Sequence, residues 1–221
     1  MNRWFAVTPS AAVPRGHIAH AQLLGQELAL WRSASGQLNA WENRCPHRGV
    51  RLTLGSCSGE QLRCQYHAWR FASGSGQCTL IPSHPGQVPA STIHPAVFAV
   101  FEDGAFAWVN PTRESDARPP ALSPPGTPLR SIFTLAPVAT VRQILREGYA
   151  GQAVSLLDEF TLDVSNPDAA TLRFMLQPVT RAETVIHAHL QGGLAAAERL
   201  AVLRHHNWLL GAVRDRAEAA A

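Results

Sequence analysis

Two short segments, each pairing one cysteine with one histidine, constrain the fold of this 221-residue chain more than any other feature. The first reads Cys45-Pro46-His47-Arg48-Gly49 and the second Cys64-Gln65-Tyr66-His67-Ala68-Trp69, with sixteen residues between His47 and Cys64. A thiolate and an imidazole from each of two tight turns can surround a metal centre without a large core. We therefore predict that Cys45, His47, Cys64 and His67 bind a metal cofactor.

Two kinds of metal centre accept this donor set. Tetrahedral zinc takes two cysteines and two histidines, but zinc fingers pair Cys with Cys and His with His locally. A [2Fe–2S] cluster with two thiolates on one iron and two imidazoles on the other takes one ligand of each kind from each loop. The spacing therefore favours the iron–sulfur cluster, and zinc stays the alternative. Two imidazoles in place of two thiolates raise the potential to between about −150 and +300 mV, which suits one-electron transfer.

The two segments resemble the signature of Rieske iron–sulfur domains. More narrowly, they are similar to the N-terminal domain of Rieske non-haem iron oxygenases, the ring-hydroxylating and demethylating kind. The likeness covers roughly residues 1–110 and extends to Trp4, Leu24-Gly25-Gln26, the segment from Cys78 to Pro82, and Ala107-Trp108-Val109.

The resemblance implies a role for each ligand. Cys45 and Cys64 would hold the buried iron, and His47 and His67 the outer one. Tyr66 and Trp69 flank the second loop, and we expect both to pack around the cofactor. Ala68 departs from the family, which usually has glycine after the histidine. The added methyl is small, so we expect slightly changed surroundings and an intact cluster.

Short apolar runs between turn residues predict a small β domain over residues 1–110. Glu27 to Arg32 and Gln37 to Trp41 form a predicted hairpin, and further strands are predicted over 61–64, 69–71, 97–101 and 105–109. With the resemblance, the expected fold is a mainly β Rieske domain of antiparallel sheets with two cluster-binding loops.

Six prolines between Pro111 and Pro128 predict an extended linker over residues 111–128. The following segment, 129–221, is predicted to be α+β. It contains a hairpin of Thr171 to Pro178 with Glu183 to Leu190, and a helix over 194–220 that is interrupted or weakened near 207–211. This segment resembles the end of a truncated helix-grip domain, the catalytic domain of the oxygenases.

The second segment lacks the His-x4-His pair that the resemblance associates with a catalytic iron. Its histidines are His187, His189, His205 and His206. We therefore predict no catalytic residue and no mononuclear Fe(II). A second metal held by His187 and His189 with Asp158, Glu159 or Asp163 stays open, although a solvated strand face explains the two histidines more simply.

These expectations combine into a functional hypothesis. The chain is predicted to be an oxidoreductase component that carries a Rieske-type [2Fe–2S] cluster. It would deliver electrons from a reductase or ferredoxin to a mononuclear non-haem iron oxygenase subunit within an oligomer. The alternatives are a terminal Rieske oxygenase, a hydroxylase or demethylase with a non-standard iron site, and a redox sensor.

Composition argues against several other classes. Net charge is +3, with eight Arg against five acidic residues in 1–110 and eleven against eleven in 111–221, which is far from a nucleic-acid binder. No apolar run reaches the ~20 residues of a membrane helix, and the N-terminus has no secretory signal pattern. We therefore expect a cytoplasmic protein in which Cys57 and Cys78 are free, mostly buried thiols.

Overall fold

Antiparallel strands dominate the structure, a computed structural model that describes residues 3–112, 126–149, 151–166, 169–192 and 196–221. Over these residues the strands are β1 Phe5–Pro9, β2 Ile18–Leu23, β3 Gln26–Arg32, β4 Leu38–Glu42, β5 Ser56–Ser58, β6 Gln61–Arg63, β7 Arg70–Ala72, β8 Cys78–Leu80, β9 Val97–Glu102, β10 Phe106–Asn110, β11 Thr127–Pro128, β12 Ile132–Thr134, β13 Ala153–Asp158, β14 Thr161–Asn166, β15 Ala169–Pro178 and β16 Thr184–Leu190. The α-helices are α1 Val138–Gly148 and α2 Ala196–Ala219.

The chain forms two units that are interleaved along the sequence. The first contains Ser10–Gln22 and the residues from Gln26 to Pro119. The second contains Phe5–Pro9, Leu23–Gly25 and the residues from Pro120 onward. Of the predicted linker over 111–128, residues 113–125 lie outside the described residues, and Thr127–Pro128 form β11.

The first unit contains two antiparallel sheets, as the alternating patterns predict. One has the strand order β10-β9-β4-β3-β2, and the other has the order β5-β6-β7-β8. The predicted hairpin is confirmed, because β3 and β4 pair from Leu28 with Glu42 to Arg32 with Leu38. The expectation of a mainly β fold is likewise confirmed.

The core of the first unit includes the first residue of each predicted metal-binding loop. Trp31 and Trp41 meet edge to face with ring centroids 5.0 Å apart. Leu62 and Phe71 of the four-stranded sheet belong to the same buried cluster, and so do the two loop cysteines. Because packed interiors tolerate little displacement, this core fixes where the loops begin.

In the second unit the strand order is β11-β16-β15-β14-β13, and β12 also pairs with β16. The predicted hairpin is present, with β15 and β16 paired from Leu172 with Leu190 to Pro178 with Thr184. Strands β13 and β14 and helix α1 were not predicted. Helix α1 begins after Pro137, which makes no side-chain capping hydrogen bond, so the usual local start signal is missing.

Helix α2 is continuous from Ala196 to Ala219, so the interruption predicted near residues 207–211 is wrong. Leu210 and Val213 are buried on either side of Gly211, and α2 packs against α1. Tertiary packing of an apolar face supplies most helix stability in proteins, and here it outweighs the low helix propensity of one glycine.

Two early segments of the chain complete the second unit. The Phe5 ring meets the Phe160 ring edge to face, with centroids 5.1 Å apart. The backbone N–H groups of Leu24 and Gly25 donate to the carbonyls of Pro178 and Val179, each at 2.7 Å. These contacts explain why residues from the start of the chain belong to a unit built mainly from its end.

Candidate metal centre

The two predicted loops share one backbone design. In the first, the N–H of Cys45 donates to the carbonyl of Val50 at 2.8 Å, and the N–H of Gly49 donates back to the carbonyl of Cys45 at 2.8 Å. In the second, Cys64 donates to Trp69 at 2.9 Å, and Ala68 donates to Cys64 at 3.1 Å. Each loop is therefore a closed turn that begins with its cysteine.

The fifth residue of each loop has a left-handed backbone. Gly49 has φ 70° and Ala68 has φ 58°. Glycine adopts this conformation freely, whereas an L-residue with a Cβ pays about 1–2 kcal/mol for it. The second loop nevertheless keeps the hydrogen bonds of the first, so the alanine that departs from the family pattern is accommodated with backbone strain.

The two loop cysteines are buried and adjacent. Cys45 is 4% exposed and Cys64 is 2% exposed. Burial, aided by the hydrogen-bonded neighbour Cys64, raises the pKa of the Cys45 thiol to about 11. Backbone N–H groups of His47 and Arg48 donate to the Cys45 sulfur and act in the opposite direction. A bound metal cation favours the thiolate, so these N–H groups support the ligand form of Cys45.

The two loop histidines form a second pair nearer the surface. The rings of His47 and His67 have centroids 4.6 Å apart, and His67 is exposed while His47 is half-buried. Trp69 stacks on His47 at 4.2 Å with an interplanar angle of 6°, so it packs against one of the predicted ligands. Tyr66 leans on His67 at 3.9 Å but is 60% exposed, so it does not pack into the interior.

These residues fit the predicted cluster. The Nδ1 atom of His47 is buried and has no hydrogen-bond partner in the described part of the chain, which leaves a lone pair available to a metal. Within that same part, no three His, Cys, Asp or Glu side chains converge on a single ion position. The donors instead form a pair of thiols and a pair of imidazoles. Two irons with two protein ligands each match this arrangement better than one zinc ion with four.

A cavity of about 450 Å³ opens beside the two imidazoles, lined by His47, His67, Trp69, Ile81, Ser83 and His84. The last three belong to a turn in which the N–H of His84 donates to the carbonyl of Ile81 at 2.9 Å. Sequence reasoning missed this third histidine. Pro82 and Pro85 on either side of it indicate a turn, but nothing local shows that the turn lies beside the metal ligands.

His187 and His189 occupy a buried position, so the expected solvated strand face is wrong. Each is 1% exposed, because β16 lies inside the sheet with both of its faces covered. Ser131 Oγ lies 2.8 Å from Nδ1 of His187, and Gln177 Oε1 lies 2.8 Å from Nε2. Since the amide oxygen only accepts, Nε2 carries the proton and Nδ1 accepts from Ser131. Burial lowers the pKa of His187 to about 3.

The carboxylates considered for a second metal have other contacts. Asp163 forms two hydrogen bonds of 2.8 Å with the guanidinium of Arg173. Asp158 accepts the N–H of Phe160 at 2.7 Å, and Glu159 is exposed. The structure therefore does not bring these acids onto the ring nitrogens of His187.

The remaining histidines and cysteines of interest have simpler surroundings. His205 and His206 lie edge to face on α2 with centroids 5.3 Å apart, and burial together with His205 lowers the pKa of His206 to about 4. Cys57 and Cys78 are free thiols; Cys78 is buried and Cys57 is half-buried. None of the helices in the described ranges combines the length and apolarity needed to cross a membrane.

Comparison with known proteins agrees with this geometry. Residues 3–99 match the family model of the Rieske [2Fe–2S] domain. The oxidoreductase NdmD of Pseudomonas putida is 34% identical over 243 residues, an alignment that includes 100% of this chain and 40% of NdmD. The chain therefore spans less than half the length of that relative.

Solved structures share the fold. The NdmA QL mutant of Pseudomonas putida CBB5 with theobromine has a TM-score of 0.77 at 17% identity, covering 98% of this chain and 81% of NdmA. Dicamba monooxygenase has a TM-score of 0.75 at 20% identity, covering 99% of this chain and 86% of that enzyme. The paired loops and the match over residues 3–99 show that this chain contains a Rieske [2Fe–2S] domain, which supports a Rieske-type [2Fe–2S] cluster, and the solved structures show that the chain shares their fold.

Proposed function

We propose that this chain is a Rieske electron-transfer protein or subunit that passes electrons from a reductase or ferredoxin to a mononuclear non-haem iron oxygenase. One observation carries the proposal. Two buried, adjacent thiols and two adjacent imidazoles nearer the surface come from loops of identical backbone design. An oligomer with an oxygenase subunit and a cytoplasmic location are parts of the same proposal.

In this proposal Cys45 and Cys64 hold the inner iron, and His47 and His67 hold the outer iron. When bound, the cluster supplies a one-electron centre at a potential between about −150 and +300 mV. The protein keeps water from the thiols by burying them at the edge of the core. The exposed ring of His67 gives a protein partner short-range access to the ligand shell.

Surrounding residues maintain the ligands in position. Trp69 stacks on His47 and restricts rotation of that ring, while the backbone N–H groups of His47 and Arg48 stabilise negative charge on the Cys45 sulfur. Groups of this kind orient metal ligands and tune the potential of a cluster. These contacts hold and tune the cluster ligands without the help of a bound substrate, as an electron carrier requires.

The surroundings of His187 support a carrier over a complete oxygenase. Both ring nitrogens of that residue are hydrogen-bonded to Ser131 and Gln177, and Asp163 is paired with Arg173. A catalytic iron built on these side chains would have to displace established bonds. The bonds of His187 and Asp163 thus support the role of donor to a separate catalytic subunit.

Elemental analysis of the full chain tests the proposal. We expect about two irons and two acid-labile sulfides per chain, a Rieske-type absorption and EPR spectrum, and no product from an oxygenase substrate without a second protein. His67→Ala should lose the spectrum, whereas the matched variant His84→Ala should keep it. A third, mononuclear iron, or turnover that His187→Ala abolishes, would identify a complete oxygenase instead.

A further inference from the structure

Positive charge in the first unit is concentrated around the two loops. Residues 44–70 contain five arginines and one acidic residue, Glu60, whereas the other residues of 1–110 contain three arginines and four acids. Glu60 turns away from the loops and accepts the N–H of Ser35 at 2.7 Å and its hydroxyl at 2.9 Å. The small net charge of the chain therefore conceals a local basic region.

Two of the five arginines form ion pairs within the unit. Arg44 and Arg51 share the carboxylate of Glu27; the Nε atom of Arg51 donates to it at 3.0 Å. The remaining three, Arg48, Arg63 and Arg70, form no ion pair with any residue in the described ranges. Among its described residues, the unit thus supplies a counter-charge to Arg44 and Arg51 but none to these three arginines.

Arg63 and Arg70 are direct neighbours across β6 and β7. Both point away from the core, because the adjacent pair Leu62 and Phe71 is fully buried. Like charges directly opposite each other destabilise a sheet. In addition, the Nε atom of Arg70 is buried and finds no acceptor among the described residues. The pair therefore lowers the stability of the isolated protein, and an external carboxylate beside the two guanidinium groups would relieve the repulsion between them.

These charges flank the proposed ligands in the sequence. Arg63 immediately precedes Cys64, Arg70 immediately follows Trp69, and Arg48 immediately follows His47. Tyr66 lies between Arg63 and Arg70 in the sequence, is 60% exposed, and borders a shallow cavity of about 390 Å³ with Val50 and Gln65. Tyrosine and arginine are the residue types enriched at the energetic centres of protein interfaces.

We propose that Arg48, Arg63, Tyr66 and Arg70 form a docking face for the acidic surface of a protein that exchanges electrons with this chain. The inference rests on the proposed function and names the charge of the partner. Carboxylates of the partner pair with the three guanidinium groups, and Tyr66 supplies the apolar centre of the contact. Such complementary charge raises association rates about 10- to 1000-fold at low salt.

A strongly acidic plant-type [2Fe–2S] ferredoxin is a suitable probe. Its potential lies below that of a Rieske cluster, so one electron passes from the ferredoxin to the cluster. Stopped-flow absorbance gives the rate at low and high salt, and calorimetry with oxidised ferredoxin gives the dissociation constant. The variants are Arg48→Gln/Arg63→Gln/Arg70→Gln and the control Arg181→Gln, which removes an exposed arginine of the second unit.

For the native chain we expect tight binding of ferredoxin and fast reduction of the cluster at low salt. Both the affinity and the rate should fall as salt is added. In the triple variant, the rate of cluster reduction at low salt should be about tenfold lower and the dissociation constant about tenfold higher. Both quantities should change little as salt is added. Arg181→Gln should behave like the native chain. Single Arg63→Gln should also raise the melting temperature slightly, because it removes the cross-strand repulsion.

Two failures can be told apart with an uncharged, electrochemically reduced dye. If the dye reduces the cluster at equal rates in all three proteins, and ferredoxin also binds and reduces all three equally, the proposed docking face is wrong and the proposed function stands. If no protein holds a reducible cluster, the proposed function itself fails. Basic cytochrome c, as an acceptor, should react no more slowly with the triple variant; a marked slowing would also contradict an acidic partner.

Discussion

Gly49 and Ala68 occupy the same position in the two loops, although only glycine suits that position. Each donates its N–H to the carbonyl of the cysteine four residues earlier, at 2.8 and 3.1 Å, and each has a positive φ, 70° and 58°. The Cβ of an L-residue crowds the backbone in this region, and glycine has no Cβ. The second loop therefore keeps its shape against local strain.

Replacing Ala68 by glycine should stabilise the protein. Removal of the left-handed strain raises the free energy of unfolding by about 1–2 kcal/mol. The added conformational freedom of glycine in the unfolded chain lowers it by about 0.4–1 kcal/mol. We expect a net gain of about 1 kcal/mol in the free energy of unfolding, measured by denaturant titration of the cluster-loaded chain. Ala34→Gly is the control, since Ala34 is exposed and has no positive φ. Equal losses in both variants would show that Ala68 is not strained.

Removal of iron should destabilise the first unit. Without metal, the two thiols are buried as neutral groups and the Nδ1 atom of His47 lacks a partner in the described residues. Metal binding energy that depends on the folded ligands becomes folding energy. Calorimetry before and after chelation should show a lower melting temperature for the iron-free chain.

The matched cysteine variants make this prediction specific. Cys64→Ser should melt, before chelation, at the temperature of the iron-free native chain. Its melting temperature should not change when the chelator is added. Cys57→Ser should respond like the native chain, because Cys57 is not among the proposed ligands. A chelator effect of the same size in Cys64→Ser would mean that the metal is bound elsewhere.

Acid should destabilise the protein through His187. Its pKa is lowered to about 3 in the folded state by burial, whereas an unfolded histidine titrates near 6.5. Between these values the unfolded state binds more protons, so stability falls as pH decreases from about 6.5 towards about 3. This group contributes up to about 1.4 kcal/mol per pH unit.

The variant His187→Gln isolates this contribution. Glutamine retains a donor for Gln177 but does not titrate, so the variant should be less stable than the native chain at pH 7 and should lose less as the pH falls. Unfolding free energies at pH 7, 6, 5 and 4 measure the difference. Parallel curves for the two proteins would show that His187 is not buried in its neutral form.

Helix α2 should depend on packing around Gly211. Leu210 is fully buried, and Leu210→Ala is expected to cost about 2–5 kcal/mol and to reduce helical signal. Trp208, two residues earlier, is 70% exposed, so Trp208→Ala should change stability by less than about 0.5 kcal/mol. Circular dichroism during denaturation compares them, and similar losses in both variants would contradict the observed packing.

The sequence alone determined the local features of this protein. Alternating residues specified the hairpins of β3 with β4 and β15 with β16, because side chains of a strand alternate between its faces. The spacing of two Cys–His pairs indicated the cofactor, because ligand type and spacing are properties of the chain itself. It also singled out Ala68 as a departure, although it did not show that this residue has a positive φ.

Only the tertiary structure decided which distant residues meet. The stack of Trp69 on His47, the approach of His84 to the cavity, and the opposition of Arg63 and Arg70 depend on loop and strand packing. Burial of His187 likewise requires a sheet covered on both faces. The separation of these residues along the chain follows no helix or strand period, so the sequence pattern does not predict their contacts. The packing of the core determines which of them meet.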